Sequence, residues 1–266
     1  RRHSRRKRWI IVGVVVAPAI AGAVCFVWPQ ISVKRRLAAI RAAGYPTSFA
    51  ELAEYTRLPG GVKNAAGIYE DAFYSFVAPN DVNMPLFGKA ELPSKGDPLP
   101  EETVEVISKW LRENQECLAL LREAGAIEYC RYEYDYARMW PDVRRARGCS
   151  RLLCLAALFH THRGDVDPAA AFINDGVQLT NSLERQPSFI GWTVRSACIQ
   201  RSVWVLEQAL NVTSFSDEHL RRLDDGFRRA KETLDLDYTL ASERCFIIES
   251  FRDPSILSPR DARYME

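Results

Sequence analysis

None of the seven cysteines in this 266-residue chain stands in a Cys-x-x-Cys pair, so zinc ribbons and thioredoxin-type redox sites lose their main signature. No glycine-rich loop that could cradle a phosphate is present, which removes the P-loop and dinucleotide fingerprints. Neither Ser150 nor Ser202 has the flanking glycines of a nucleophile elbow. There are only 4 histidines. His160 and His162 invite a metal reading with Asp165 and Asp167, but two positions apart on a helix they point about 200° away from each other. A helix end and a capped turn account for the same residues. The formal charge is only +2, which excludes a strongly basic nucleic-acid binder. With 47% hydrophobic and 26% charged residues, wholesale disorder and fibrous repeats are excluded as well.

What is present begins with an asymmetry. Residues 1–8 hold six cationic side chains, and residues 1–28 hold no acidic one. From Trp9 to Trp28 the chain carries no charge at all, a length that crosses the roughly 30 Å hydrocarbon core as a helix. Trp9 and Trp28 stand where indole rings favour the headgroup interface, and Gly13, Pro18 and Gly22 are tolerable in such a helix. By the positive-inside rule the basic arm is cytoplasmic and everything from Pro29 onward is expected on the far side, in the periplasm or outside the cell. Ala19-Ile20-Ala21 offers a signal-cleavage site, but the apolar run continues past it, which favours an anchor. Val24 before Cys25 fits a lipoprotein signal poorly, and Arg8 breaks a twin-arginine pattern. The chain opens on Arg1 and closes on Glu266 without a terminal motif, and trimming of one or both ends is expected. With six of the 36 basic residues in the arm, the remainder carries 30 basic against 34 acidic groups and is mildly acidic.

Six cysteines (Cys117, Cys130, Cys149, Cys154, Cys198 and Cys245) fall in the expected external part, where disulfides could persist. Their connectivity is open. Cys198 and Cys245 sit in apolar helical patterns that suit small buried hydrophobes.

The rest reads as helix, short turn, helix. Expected helices cover 31–44, 48–58, 64–77, 101–124, 143–162, 168–185, 187–210, 216–236 and 238–251. Ser48 and Glu51 have capping-box spacing. Gly164, Asp167 and Pro168 suit a C-cap, an N-cap and a first helical position. Ser216 suits an N-cap, with Phe215 and Leu220 as a staple and Leu220, Leu223, Phe227, Ala230 and Leu234 as the apolar seam. Residues 78–100, with five prolines, form a long loop whose plain reading is a linker. The predicted fold class is therefore all-α: a basic arm (1–8), one N-terminal transmembrane helix (9–28), N-terminal helices (29–77), the Pro-rich loop (78–100) and stacked antiparallel helix pairs (101–266), as an α-solenoid or an irregular bundle. Residues 158–183 resemble one tetratricopeptide-type hairpin, although the full 34-residue signature does not recur.

Several local patterns carry a wider likeness: Tyr45-Pro46-Thr47 before a capped helix, Asn64-Ala65-Ala66, Tyr129-Cys130-Arg131-Tyr132, Arg151-Leu152-Leu153, Gly164-Asp165 with Ala169-Ala170, and Gln186-Pro187-Ser188-Phe189-Ile190. Behind a short anchor, they resemble a group of membrane-anchored, all-helical proteins of Planctomycetes and related bacteria. That group has no established activity, so the resemblance implies an anchor and a fold and no chemistry.

The best candidate surface is the aromatic run at 129–140. Tyr129, Arg131, Tyr132, Tyr134, Tyr136, Arg138 and Trp140 are the residue types enriched at binding hot spots. The plainer reading buries the rings against helix pairs and pairs Arg131 with Glu133 or Asp135. The Arg163-Gly164-Asp165 tripeptide and the Asp224-Asp225 pair are explained as a turn and a solvated face. Asn211-Val212-Thr213 is a glycosylation sequon, meaningful only in a eukaryotic secretory pathway. No catalytic, cofactor or metal residue is assigned. The expected partners are the bilayer, through Trp9–Trp28, and a protein in the envelope; no nucleic acid is expected. Binding or scaffolding is the leading function. The runner-up is an envelope enzyme with a pocket between loop 78–100 and the Tyr-rich segment 129–140.

Overall fold

A computed structural model describes residues 31–81, 83–89, 91–92, 97, 99–133, 143–186, 188–233 and 236–253. The expected basic arm and membrane run, residues 1–28, lie outside these. Among the described residues no helix is long and apolar enough to cross a membrane.

The described chain is all-α. Its helices are α1 (31–42), α2 (Phe49–Tyr55), α3 (Ala66–Ser75), α4 (Glu101–Glu113), α5 (Gln115–Gly125), α6 (Val143–Arg163), α7 (Val166–Ser182), α8 (Phe189–Val212), α9 (Asp217–Glu232) and α10 (Asp237–Arg252). No strand forms among the described residues; Asn64 and Tyr129 make a single isolated parallel bridge.

Capping chemistry sets most boundaries. Ser48 accepts from the Glu51 amide at 3.2 Å, Ser188 from Gly191 at 2.9 Å and Ser216 from His219 at 3.3 Å, each satisfying one orphan donor of a first turn. The Glu51 carboxylate reaches back one residue further than a standard capping box, taking the Thr47 amide at 2.7 Å and the Thr47 hydroxyl at 2.9 Å. Those bonds, with Arg41 beside them, hold its pKa below the usual value against the opposing effect of burial. Gly164, at φ +77°, closes α6 in the left-handed conformation.

Three expectations are corrected. Asp165, not Asp167, is the residue ahead of α7; Asp167 falls in its first turn. Leu220, expected in the apolar seam, is exposed, and the buried Phe215 sets its ring edge-on to His219. The stretch 101–124 is two helices, not one, because Asn114 breaks it with φ −106° and ψ 19°. Wholly buried, Asn114 spends its side chain on the loop strand beside it. Its Oδ1 accepts from the Val77 amide at 2.9 Å, and its Nδ2 donates to the carbonyls of Val77 and Trp110 at 3.1 Å each.

The core is built around α6. Ala146, Cys149, Leu152, Leu153, Leu155, Ala156 and Ala157 are buried on several sides of it, as suits a central helix. α6 packs on α7 and α8, and α7 on α8, α9 and α5. α3 pairs with α5. Of the expected seam of α9, Leu223 and Ala230 are buried and Phe227 packs against the core, Leu220 is exposed and Leu234 lies outside the described residues; Gly226, also buried, faces α7. A Cβ at Gly226 would stand 2.9 Å from Val177 Cγ1. α10 packs on α2 through a separate small cluster of Leu52, Ala241 and Cys245. Where it is described, the Pro-rich loop is more than a linker: Met84 is buried, and Phe87 packs against Phe76 and Trp110 at 6.3 and 5.1 Å between ring centres.

Candidate functional site

The Tyr-rich segment divides at once. Tyr134, Tyr136, Arg138 and Trp140 lie outside the described residues. Tyr129, Arg131 and Tyr132 are described, and each has a different fate. Asn64 clamps the segment from below: its Nδ2 donates to the Arg131 carbonyl and its Oδ1 accepts from the Arg131 amide, both at 2.9 Å, while the Ala65 amide donates to the Tyr129 carbonyl. This fixes side-chain direction by strand alternation. Tyr132 points inward, 3% exposed, its ring near those of Phe73 and Tyr69 and its hydroxyl 3.0 Å from Ser182 Oγ. Burial pushes the phenols of Tyr69 and Tyr132 well above the ordinary value of 10. Tyr132 is therefore core and is withdrawn from the interaction surface. Arg131 points toward α2, where its guanidinium donates to Thr56 Oγ1 and to the Ala53 carbonyl, suiting a cation at a helix C-terminus. It acts as a joint between α2 and the segment. Tyr129 is half-buried and lines a cleft.

That cleft encloses about 210 Å³ between Glu128, Tyr129 and Cys130 on one side and Asn181, Glu184, Arg185, Arg229 and Thr233 on the other. It is made by the segment and the C-terminal ends of α7 and α9, and no described residue of loop 78–100 lines it. Arg229 donates to the Glu128 carbonyl at 2.8 Å and approaches Glu184 at 3.4 Å. Behind it, Arg195 of α8 is 2% exposed and donates to the Thr180 carbonyl and to both the carbonyl and hydroxyl of Thr233. One buried cation thus satisfies the ends of two helices.

The chemistry here is poor in reactive groups. The Cys130 thiol is pushed up to about 12 by burial, so it is not a thiolate nucleophile near neutral pH. No histidine lines the cleft. Among the described residues no group of three or more His, Cys, Asp or Glu side chains gathers as a metal site would require. His160 bonds Asp165 at 3.1 Å and stacks on Phe172. The six cysteines beyond residue 28 are free and buried, the thiols of Cys117 and Cys149 standing 3.8 Å apart.

A second feature has no sequence motif. α10 buries one face and exposes another. Leu236, Leu240, Ile247 and Phe251 recur at spacings of 4, 7 and 4, one stripe of a helix, and all are exposed, Phe251 at 86%. Phe189 and Ile190 at the start of α8 are exposed as well, and the Phe189 amide donates to Glu243 of α10 at 3.2 Å.

Among the described residues, fold and surface define an all-helical protein with a mixed-charge cleft and an exposed apolar stripe. Comparison with protein families, curated proteins and solved structures finds no match to the chain.

Proposed function

We propose that the chain is a helical scaffold, anchored in the cytoplasmic membrane through residues 9–28, whose periplasmic domain presents a docking face to a protein partner. The reading rests on the apolar stripe of α10 with Phe189 and Ile190. Contiguous exposed apolar side chains of this size mark interaction sites more often than chance surface. The antiparallel hairpin of α6 and α7 is the tetratricopeptide-like unit, and such stacks offer extended faces to partners. The resemblance to anchored helical proteins of Planctomycetes-type bacteria supports the same reading. An envelope enzyme would need a convergent acid, base or nucleophile; the cleft offers an ion-paired glutamate and a protonated thiol.

The test is a photoreactive amino acid at Ile247 in native membranes, together with the Leu240→Asp, Ile247→Asp double variant. A discrete crosslinked protein at Ile247, lost from co-purification with the double variant, is the expected result. Co-purification of the same protein with the double variant defeats the docking role of α10. Placement is tested separately by alkaline phosphatase fused after Glu266, which is expected to be active in cells.

A further inference from the structure

The N-terminal half of α6 breaks a strong electrostatic preference. Helix N-termini favour acidic side chains. α6 has no acidic residue anywhere along it, yet it carries Arg144, Arg145, Arg147 and Arg151 within its first nine positions. Arg147 and Arg151 are one turn apart, an arrangement of like charges that destabilises a helix. α8 packs against this face and adds a third cation: Arg201 donates from Nη1 to Ser150 Oγ at 3.2 Å, and Ser150 is 3% exposed. Among the described residues, none of Arg147, Arg151 and Arg201 makes an ion pair. By its bond to Ser150, Arg201 reaches the residue that precedes Arg151 on α6, and burial, with repulsion from Arg201 and Arg147, holds Arg151 below its ordinary pKa. Arg151 also lays its guanidinium over the Phe87 ring at 5.0 Å, and its Nε is buried without a hydrogen-bond partner. An arginine held over an aromatic face by a cation–π contact keeps its outer N–H groups for a planar or tetrahedral oxyanion.

We propose that Arg147, Arg151 and Arg201, around Ser150, form a binding site for a phosphoryl group. Three guanidiniums around Ser150, without a carboxylate partner among the described residues, exceed what a single carboxylate ligand neutralises, and they match a dianionic phosphate. Occupancy supplies the missing counter-charge, so ligand binding and domain stability are linked. The phosphoryl group comes either from free phosphate or a phosphomonoester, or from a phospholipid headgroup.

The experiment is thermal unfolding of the full chain in a non-ionic detergent, titrated with sodium phosphate against sodium chloride at matched ionic strength. Phosphate is expected to raise the midpoint well beyond chloride. In Arg147→Gln and Arg201→Gln the apparent phosphate affinity is expected to fall about tenfold or more. Arg147 is exposed and makes no ion pair among the described residues, so its variant is expected to fold as the parent does, with a ligand-free midpoint equal or higher. A second arm dopes the micelles with short-chain phosphatidylglycerol. A response to inorganic phosphate identifies the free ion as sufficient; a response to the lipid alone identifies the headgroup. No response beyond chloride in either arm overturns the site, as does an undiminished response in either variant.

Discussion

Asn114 shows how much one side chain can organise. It interrupts what would be a continuous helix, and the same amide then pairs both backbone groups of Val77, 37 positions away. Asn64 does the equivalent for Arg131. Both asparagines stand in for a neighbouring strand where an irregular segment enters the core, because buried backbone groups must be paired. Asn114→Ala orphans the Val77 amide, while the Val77 carbonyl keeps the bond from Trp110 Nε1 at 2.8 Å, and is expected to cost about 1–3 kcal/mol. Chemical denaturation checks this, and a loss under about 1 kcal/mol would show that water reaches Val77. Asp175 is the contrasting case. Burial raises its carboxyl pKa above the ordinary 3.8 despite Arg122, which donates to it from Nε and Nη2 at 3.0 and 2.9 Å. A carboxyl with a raised folded pKa contributes stability that is fully present below about 3.8 and is lost as pH rises through the folded value. Asp175→Asn therefore should flatten that part of the stability–pH curve and leave stability at pH 7 unchanged or slightly higher, since the Arg122 side chain is half exposed and still lies over Phe172. A marked loss at pH 7 would mean that the ion pair outweighs its desolvation.

Among the elements, glycines decide how closely helices approach. At Gly226 an added Cβ meets Val177 Cγ1 at 2.9 Å, and Val177 is a wholly buried β-branched residue with nowhere to turn. At Gly148 the added Cβ meets the far edge of the Phe76 ring at 2.8 Å, and Phe76 is only half-buried. Overpacking at Gly226→Ala is expected to exceed the helix-propensity gain and cost about 1–2 kcal/mol net, with Gly148→Ala close to neutral. Paired urea curves test the ranking, and the reverse order would put the tight contact between α3 and α6. Neither contact is written in the local sequence. Ser48, Ser216 and Gly164 were legible because a cap is settled within four residues. The helix break at Asn114, the close approach of Gly226 to α7 and the inward turn of Tyr132 were not, since each depends on a partner far along the chain: Val77, Val177 and Ser182. The Arg147/Arg151 spacing was readable in principle, but its meaning needed Arg201 from another helix. The aromatic run looked like a surface because composition alone cannot tell the two faces of an extended segment apart.

For the whole molecule, the six buried thiols report on integrity. They lie on α5, the segment after it, α6, α8 and α10, so no single local opening releases them all. Burial pushes Cys130 and Cys154 to about 12 and Cys245 to about 11, and raises Cys149 and Cys198 as well. A thiol at 12 is less ionised near neutral pH by about three powers of ten than an ordinary cysteine near 8.5. Inaccessibility slows alkylation further. Cys25 set aside, the folded chain should react negligibly with a thiol reagent at pH 7.5, and all six cysteines should label together across the unfolding transition, counted by mass spectrometry. The Cys245 cluster with α2 is separate from the main core, so the informative deviation is early labelling of Cys245 alone. That outcome would make α2 and α10 a unit that opens before the α6-centred core. It would also mean that the exposed stripe of α10 sits on the least stable part of the domain, where binding a partner adds most to its order.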